Sequence, residues 1–283
     1  MKIVISTEST ADLTKEIIEQ NNFKIIAYPI LLGQESSFDG EVSTKQIIDF
    51  VNENKILPKT SAVNDFRFGE YFGNLLKEYD AVIHFSLSSE LSATYNNAVR
   101  ASQDYKNVFV VDTRSLSTGI GLLALYAKQL VDKGLNAKEI YEMCLKRVPN
   151  VQASFALKRL DYLYKGGRCN ALTLFGANLL KIRPQIVVEN GKMLPGKKYR
   201  GNYLHVVKNY CQDVLEKFNN PDLSVAFVTY TTAAQEIIDT AKQYLEERGF
   251  EKIYVTRAGG TITSHCGEDC LGILYINDGG KID

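Results

Sequence analysis

Apolar, β-branched runs alternate with helical periods through the first half of the chain, and that order excludes most architectures. "KIVIS" has the composition of a buried strand, and a helical period follows around Leu13 to Gln20. "KIIAYPILL" reads as the next strand. "STKQIIDFVNEN" opens on Ser43 with Gln46 three residues on, a reciprocal capping pattern that starts a short helix. Asn64 is placed to cap a helix running through Phe68, Phe72 and Leu75. "DAVIHFS" and "NVFVVDT" read as strands with the helix "SATYNNAVRASQDY" between them. Ser117 to Lys133 forms a further helix, stopped by Gly134. Strands of this kind separated by helices predict a parallel sheet covered on both faces.

The second half follows another rule. "PQIVVENGKMLPG" carries Asn190-Gly191 between two extended segments, a strong hairpin signal. Helices around Tyr203 to Phe218 and Ala233 to Arg248 flank the strands "LSVAFVTY" and "KIYVTR", and "LGILYIN" is a last strand. A hairpin plus helices predicts a mixed sheet. The expected fold class is therefore α/β in two domains, residues 1–150 with a parallel sheet and 151–283 with a mixed one. The boundary falls near Pro149, where "KRVPN" breaks a helix, and 283 residues allow each domain its own core.

Charge narrows the function classes. Lys+Arg and Asp+Glu both total 33, without the basic excess of a protein that lives on nucleic acid or an anionic membrane. No run approaches the roughly 20 apolar residues of a membrane span, and "MKIVISTEST" is too short in apolar residues for a signal peptide. The five cysteines follow no disulfide framework. A cytoplasmic protein with no stable membrane insertion is expected.

Five motifs carry candidate chemistry. "TGIGLLA" spells Gly119-x-Gly121-x-x-Ala124, but its glycines fall inside a helical pattern, six residues or more after the strand. Close packing of a helix on the sheet explains them better than a dinucleotide. Thr60 and Ser61 in "KTSAVNDF", and Ser86, Ser88, Ser89, Ser92 and Thr94 in "FSLSSELSATYNNA", precede helices at the carboxyl edge of a parallel sheet. Such loops bind anions, although serine and threonine also serve as plain caps. In "RLDYLYKGGRCN" the glycine pair either turns Arg168 toward a ligand or ends a helix beside a solvated arginine. "SHCGEDC" lacks the second ligand pair of a zinc site and an evident base for cysteine catalysis, so Cys266 and Cys270 read as packed thiols and no metal is expected. His265, beside a glycine turn, joins the anion-site candidates.

Taken in order, "KIVISTESTADL", "TSAVNDF", "SLSSELSATYNNA", "VVDTRSLSTGIG", "LDYLYKGGR", "IRPQIVVENGKM" and "SHCGEDCLGILY" resemble the DegV family, fatty-acid-binding proteins of bacteria, over essentially the whole chain. The resemblance implies two α/β domains with a long-chain fatty acid between them, a monomer, no cofactor and no catalytic residue. It implies a carrier that presents the acid to a separate fatty acid kinase for acyl-phosphate formation. Carried over by position, Thr60, Ser61, Ser92, Arg168 and His265 are its ligand-binding residues, and Arg200 and His205 face the kinase. Val63 stands where the family often has proline, and Glu90 and Ala93 where it often has glycine. Glu90 is expected to point outward. The rival readings are a small-molecule kinase or transferase subunit using the same cleft, and a nucleotide-binding regulator. The lack of a phosphate-binding loop and of an evident metal-binding carboxylate set speaks against the first.

Overall fold

The computed structural model describes residues 1–168 and 182–280. Its first half runs β1 (Ile3–Glu8), α1 (Lys15–Asn21), β2 (Lys24–Ile26), β3 (Pro29–Leu32), β4 (Glu35–Phe38), α2 (Thr44–Asn54) and β5 (Lys59–Thr60). It continues with α3 (Asp65–Leu75), β6 (Ala81–Ser86), α4 (Thr94–Ser102), β7 (Val108–Asp112), α5 (Thr118–Asp132) and α6 (Ala137–Arg147). The second half holds β8 (Val151–Ala156), α7 (Asp161–Lys165), β9 (Arg183–Glu189), β10 (Lys192–Tyr199) and α8 (Tyr203–Lys217). It ends with β11 (Ala226–Tyr230), α9 (Gln235–Arg248), β12 (Ile253–Arg257), α10 (Gly260–Cys266) and β13 (Leu271–Ile276).

The first sheet has the order β2-β1-β6-β7 with every pair parallel. Six strands in the order β10-β9-β8-β13-β11-β12 make the mixed sheet, in which only β11 and β12 run parallel. The local signals act as their chemistry dictates. Ser43 and Gln46 close a capping box, and the Arg67 amide donates to Asn64 Oδ1 at 2.9 Å. Asn190 and Gly191 take the left-handed conformation at the tip between β9 and β10.

"KIIAYPILL" departs from expectation, because it is two strands in two sheets. β2 ends at Ile26, and β3 belongs to a separate antiparallel sheet, β4-β3-β5. Pro29 lacks the amide that a continuing ladder needs and stands first in β3 instead. This small sheet carries Thr60 on β5.

Helix α5 lies against strands of both large sheets, and eleven of its fifteen residues are buried, so it is apolar all round. Its glycines serve that packing. A Cβ on Gly121 would stand 2.6 Å from Leu13 Cδ2, and one on Gly119 would collide with Ser115. The larger core runs from Val4 and Phe85 through Leu123 to Phe155 and Leu274, residues on both sides of Pro149. A second core packs α8 and α9 on the mixed sheet around Tyr210 and Tyr275.

Candidate functional site

Thr60 sits at the end of β5, paired with Ile30 of β3, and the Ser61 amide donates to Pro29 O at 3.2 Å. The Thr-Ser turn is thus pinned to the sheet by backbone while both hydroxyls stay free of it. Beyond β6 the hydroxyl-rich loop divides its labour. Ser86 donates to Glu8, Ser88 to Gly191 O at 2.8 Å, and Ser89 to Asp112 at 2.6 Å, so these three are structural. Ser92 differs. The Thr94 amide donates to its oxygen at 3.3 Å, Tyr28 Oη approaches it at 3.4 Å, and it faces a cleft.

His265 closes that cleft from the other side, with Nε2 2.8 Å from Thr60 Oγ1. Burial, and then the nearby Arg168 guanidinium, hold the imidazole down to about 4, so it is neutral near pH 7. Its Nδ1 is buried without a hydrogen-bond partner among the described residues. Gly166 allows this position, since a Cβ there would lie 2.5 Å from Nδ1. Gly167 takes a left-handed turn, φ +70, and Arg168 follows with its guanidinium on Gly166 O at 2.6 Å. The glycine pair therefore does two jobs, one for the histidine and one for the arginine.

The resulting open cleft, about 490 Å3 with its solvent-facing part, is lined by Thr60, Ser61, Ser92, Arg168 and His265 together. Sequence reasoning missed Tyr28, which also lines it. Burial, and then the charge of Glu8, hold the Tyr28 phenol well above its ordinary value, so it remains a neutral donor. The only signal was an aromatic residue directly before Pro29 in an otherwise aliphatic run. Among the described residues no carboxylate lines the cleft, and Arg168 is its one full charge. Glu90 points outward, with Arg114 at 3.4 Å and Lys192 at 3.5 Å.

Leu116, Ile262 and Cys266 are shared between this cleft and a second pocket, the inner cavity, about 330 Å3 with its solvent-facing part, which continues past Cys270, Phe155 and Leu274. Hydroxyls in that wall are already engaged: Ser154 with Tyr210 at 3.0 Å, and Thr229 with Thr118 at 2.7 Å. The inner cavity is apolar, whereas the cleft sets its hydroxyls, imidazole and guanidinium among apolar residues such as Leu87, Leu91 and Met193. Both thiols are buried, and they form part of its wall. Glu268 and Asp269 instead reach Lys158, at 2.9 and 3.2 Å. The apolar run "ALTLFGANLLKI", whose Leu, Ile and Phe residues suit a tunnel wall or ordinary core packing equally, lies outside the described residues except for Ile182. Arg200 and His205 do not line the cleft. Both are exposed, between the end of β10 and the first turn of α8, where His205 Nε2 meets Asn209 at 3.0 Å. No helix among the described residues is long and apolar enough to cross a membrane.

Comparison with known proteins places this geometry in a family. Among curated relatives, a fatty acid-binding protein of Thermotoga maritima is 31% identical over 284 residues, covering 96% of each chain. A DegV domain-containing protein of Clostridium acetobutylicum is 30% identical over 280 residues, covering 97% of this chain and 98% of its own. Among solved structures, DegV, a fatty acid binding protein from Bacillus subtilis, has a TM-score of 0.84 at 26% identity, covering 98% of this chain and all of its own. Residues 2–278 match the family model described as uncharacterised protein, DegV family. With its parallel sheet, its mixed sheet and the cleft at their seam, this chain belongs to the DegV family.

Proposed function

We propose that this protein binds one long-chain fatty acid, with the carboxylate in the cleft and the acyl tail in the inner cavity. It then presents the head group to a separate kinase and has no catalytic residue of its own. One observation carries this reading: Thr60, Ser61, Ser92, Arg168 and His265, drawn from distant segments, line one cleft with no carboxylate among its described residues, and that cleft adjoins an apolar cavity.

The hydrogen bonding suits a carboxylate. With the proton on Nε2, His265 donates to Thr60 and leaves the threonine proton free for the ligand. Ser92 accepts from Tyr28 and from the Thr94 amide and meets the Thr94 hydroxyl at 2.9 Å; with Thr94 as the donor there, the Ser92 proton is left for the ligand. The tail supplies most of the affinity. About 15 methylenes at roughly 0.8 kcal/mol each give about 12 kcal/mol, set against an association cost of about 4–15 kcal/mol. Head-group hydrogen bonds, about 1.5–3 kcal/mol each to a charged group, offset desolvation and fix orientation.

Mass spectrometry of an organic extract from purified protein tests this reading. A stoichiometric long-chain free fatty acid is expected. Recovery of none, even after incubation with fatty acid, sinks the proposal.

A further inference from the structure

Helix α10 brings His265 to Thr60, yet it has no cap of its own. Its N-cap is Gly259, which offers no side chain. The first amides of a helix need acceptors, and here they come from the far end of the sequence. Gly259 N donates to Asp12 Oδ1 at 2.7 Å, across 247 residues. Gly260 N and Thr261 N donate to the two oxygens of Asp39 at 2.7 and 3.2 Å. Both carboxylates are at least nine-tenths buried. Asp12 is in turn held by the Ser117 hydroxyl, and Asp39 by its own amide, which donates to Tyr28 O at 2.8 Å. Just ahead of the helix, the Thr44 hydroxyl donates to Ala258 O at 2.7 Å.

Glycine suits this close approach. A Cβ on Gly259 would stand 2.8 Å from Asp39 Oδ1, and one on Gly260 would stand 2.7 Å from Ile30 Cδ1. The helix is therefore bracketed by the N-terminal half at both ends, by the side-chain oxygens of Asp12 and Asp39 at the start and by Thr60 at the last turn. His265 stands five residues beyond Gly260, about 7.5 Å of helix rise. Lengthening the His265–Thr60 contact by about 1 Å would take it out of hydrogen-bond range.

We infer that Asp12 and Asp39 are positioning residues for the head-group site: they hold α10 from the N-terminal half so that His265 meets Thr60. Neither residue lines the cleft. The consequence for ligand binding rests on the fatty-acid reading above; the consequence for His265 does not.

The test is a mutant cycle with two readouts. Asp39→Ala is expected to weaken displacement of a fluorescent fatty acid at least tenfold, and Asp39→Asn, which keeps one acceptor, by less. In a His265→Ala background, Asp39→Ala should cost under twofold, because the residue acts through the histidine. NMR titration of the His265 ring in ligand-free protein should show its depressed pKa rising toward the ordinary value of about 6.5 in the variants. Thermal unfolding of each variant confirms the fold, and Asp39→Asn serves if Asp39→Ala does not fold. Equal losses with and without His265, or wild-type affinity together with an unmoved ring titration, overturn the inference. If the wild type binds no fatty acid while the ring titration moves as expected, the functional reading fails and the positioning role stands.

Discussion

The two sides of the seam are built to different tolerances. On the N-terminal side, Thr60, Ser61 and Ser92 are short side chains at a strand end or on loops, partly or fully open to solvent. On the C-terminal side His265 presses on Gly166, and Gly267 lies under the Tyr162 ring, where a Cβ would stand 2.8 Å from Cε2. One side provides donors that can be lost singly. The other provides a geometry that can only be lost as a whole. Substitutions on the C-terminal side should therefore cost more than deletions of the donors opposite.

The largest effect should come where cleft and inner cavity join. Cys266→Trp fills that junction and should weaken fatty-acid binding at least a hundredfold, about 2.7 kcal/mol, in a displacement assay. An unchanged Kd would place the tail elsewhere. Next comes Gly166→Ala, whose methyl would meet His265 Nδ1 at 2.5 Å and Tyr162 O at 3.0 Å. The backbone oxygen cannot yield, so the imidazole must move off Thr60. Overpacking and the lost contact together should cost about 2–3 kcal/mol of binding. A wild-type affinity would show that the histidine's position is not what the ligand reads.

On the other side, Thr60→Ala should cost about 1.5–3 kcal/mol and Ser92→Ala about 1–2 kcal/mol of affinity, with the fold intact. Thr60 is the larger because its loss also leaves His265 Nε2 without its partner. The comparison breaks if Ser92→Ala proves worse than Gly166→Ala.

This asymmetry also governs what could be read from sequence. The parallel sheet was legible because each strand is an unbroken apolar run, and the Asn190-Gly191 tip because two residues specify a turn locally. The split of "KIIAYPILL" was not, since only the pairing of Ile30 with Thr60 and of Pro29 with Phe38 assigns β3 to its own sheet. Which hydroxyls face a ligand was equally hidden. Ser86, Ser88 and Ser89 look like Ser92 in sequence, but their partners, Glu8, Gly191 and Asp112, lie from 23 to 103 residues away. His265 and Arg168 could be nominated by type and by resemblance. Why Gly166 precedes them is a matter of one distance in space.

A smaller effect concerns stability and acid. The His265 pKa, about 4 when folded, lies below the ordinary value of 6.5, so the unfolded chain binds more protons between the two. Stability is then complete above about pH 6.5 and is lost as the pH falls toward 4. Between pH 7 and about 5.5 this group alone should remove about 1 kcal/mol, less to the extent that water reaches the ring. Urea unfolding of wild type and His265→Gln across that range isolates it. Parallel slopes for the two proteins would mean that the ring is charged, or already solvated, in the native state.

The smallest effect on binding is expected outside the seam altogether. Arg200 and His205 are exposed where β10 gives way to α8, and neither lines the cleft or the inner cavity. His205 keeps its place through Asn202, which accepts the His205 amide at 2.9 Å, and that bond survives loss of the ring. The double substitution Arg200→Ala with His205→Ala should therefore leave the fatty-acid Kd within twofold. A carrier needs a recognition surface apart from its pocket, and an exposed arginine and histidine suit an acidic partner face. In a reconstituted assay with a fatty acid kinase, acyl-phosphate formation should fall at least tenfold, about 1.4 kcal/mol. Raising the salt should erode the wild-type rate toward that of the variant, because exposed charges act mainly on encounter and are screened. If binding and phosphorylation fall together, the pair belongs to the pocket or the fold. If neither falls, the docking face lies elsewhere on the molecule.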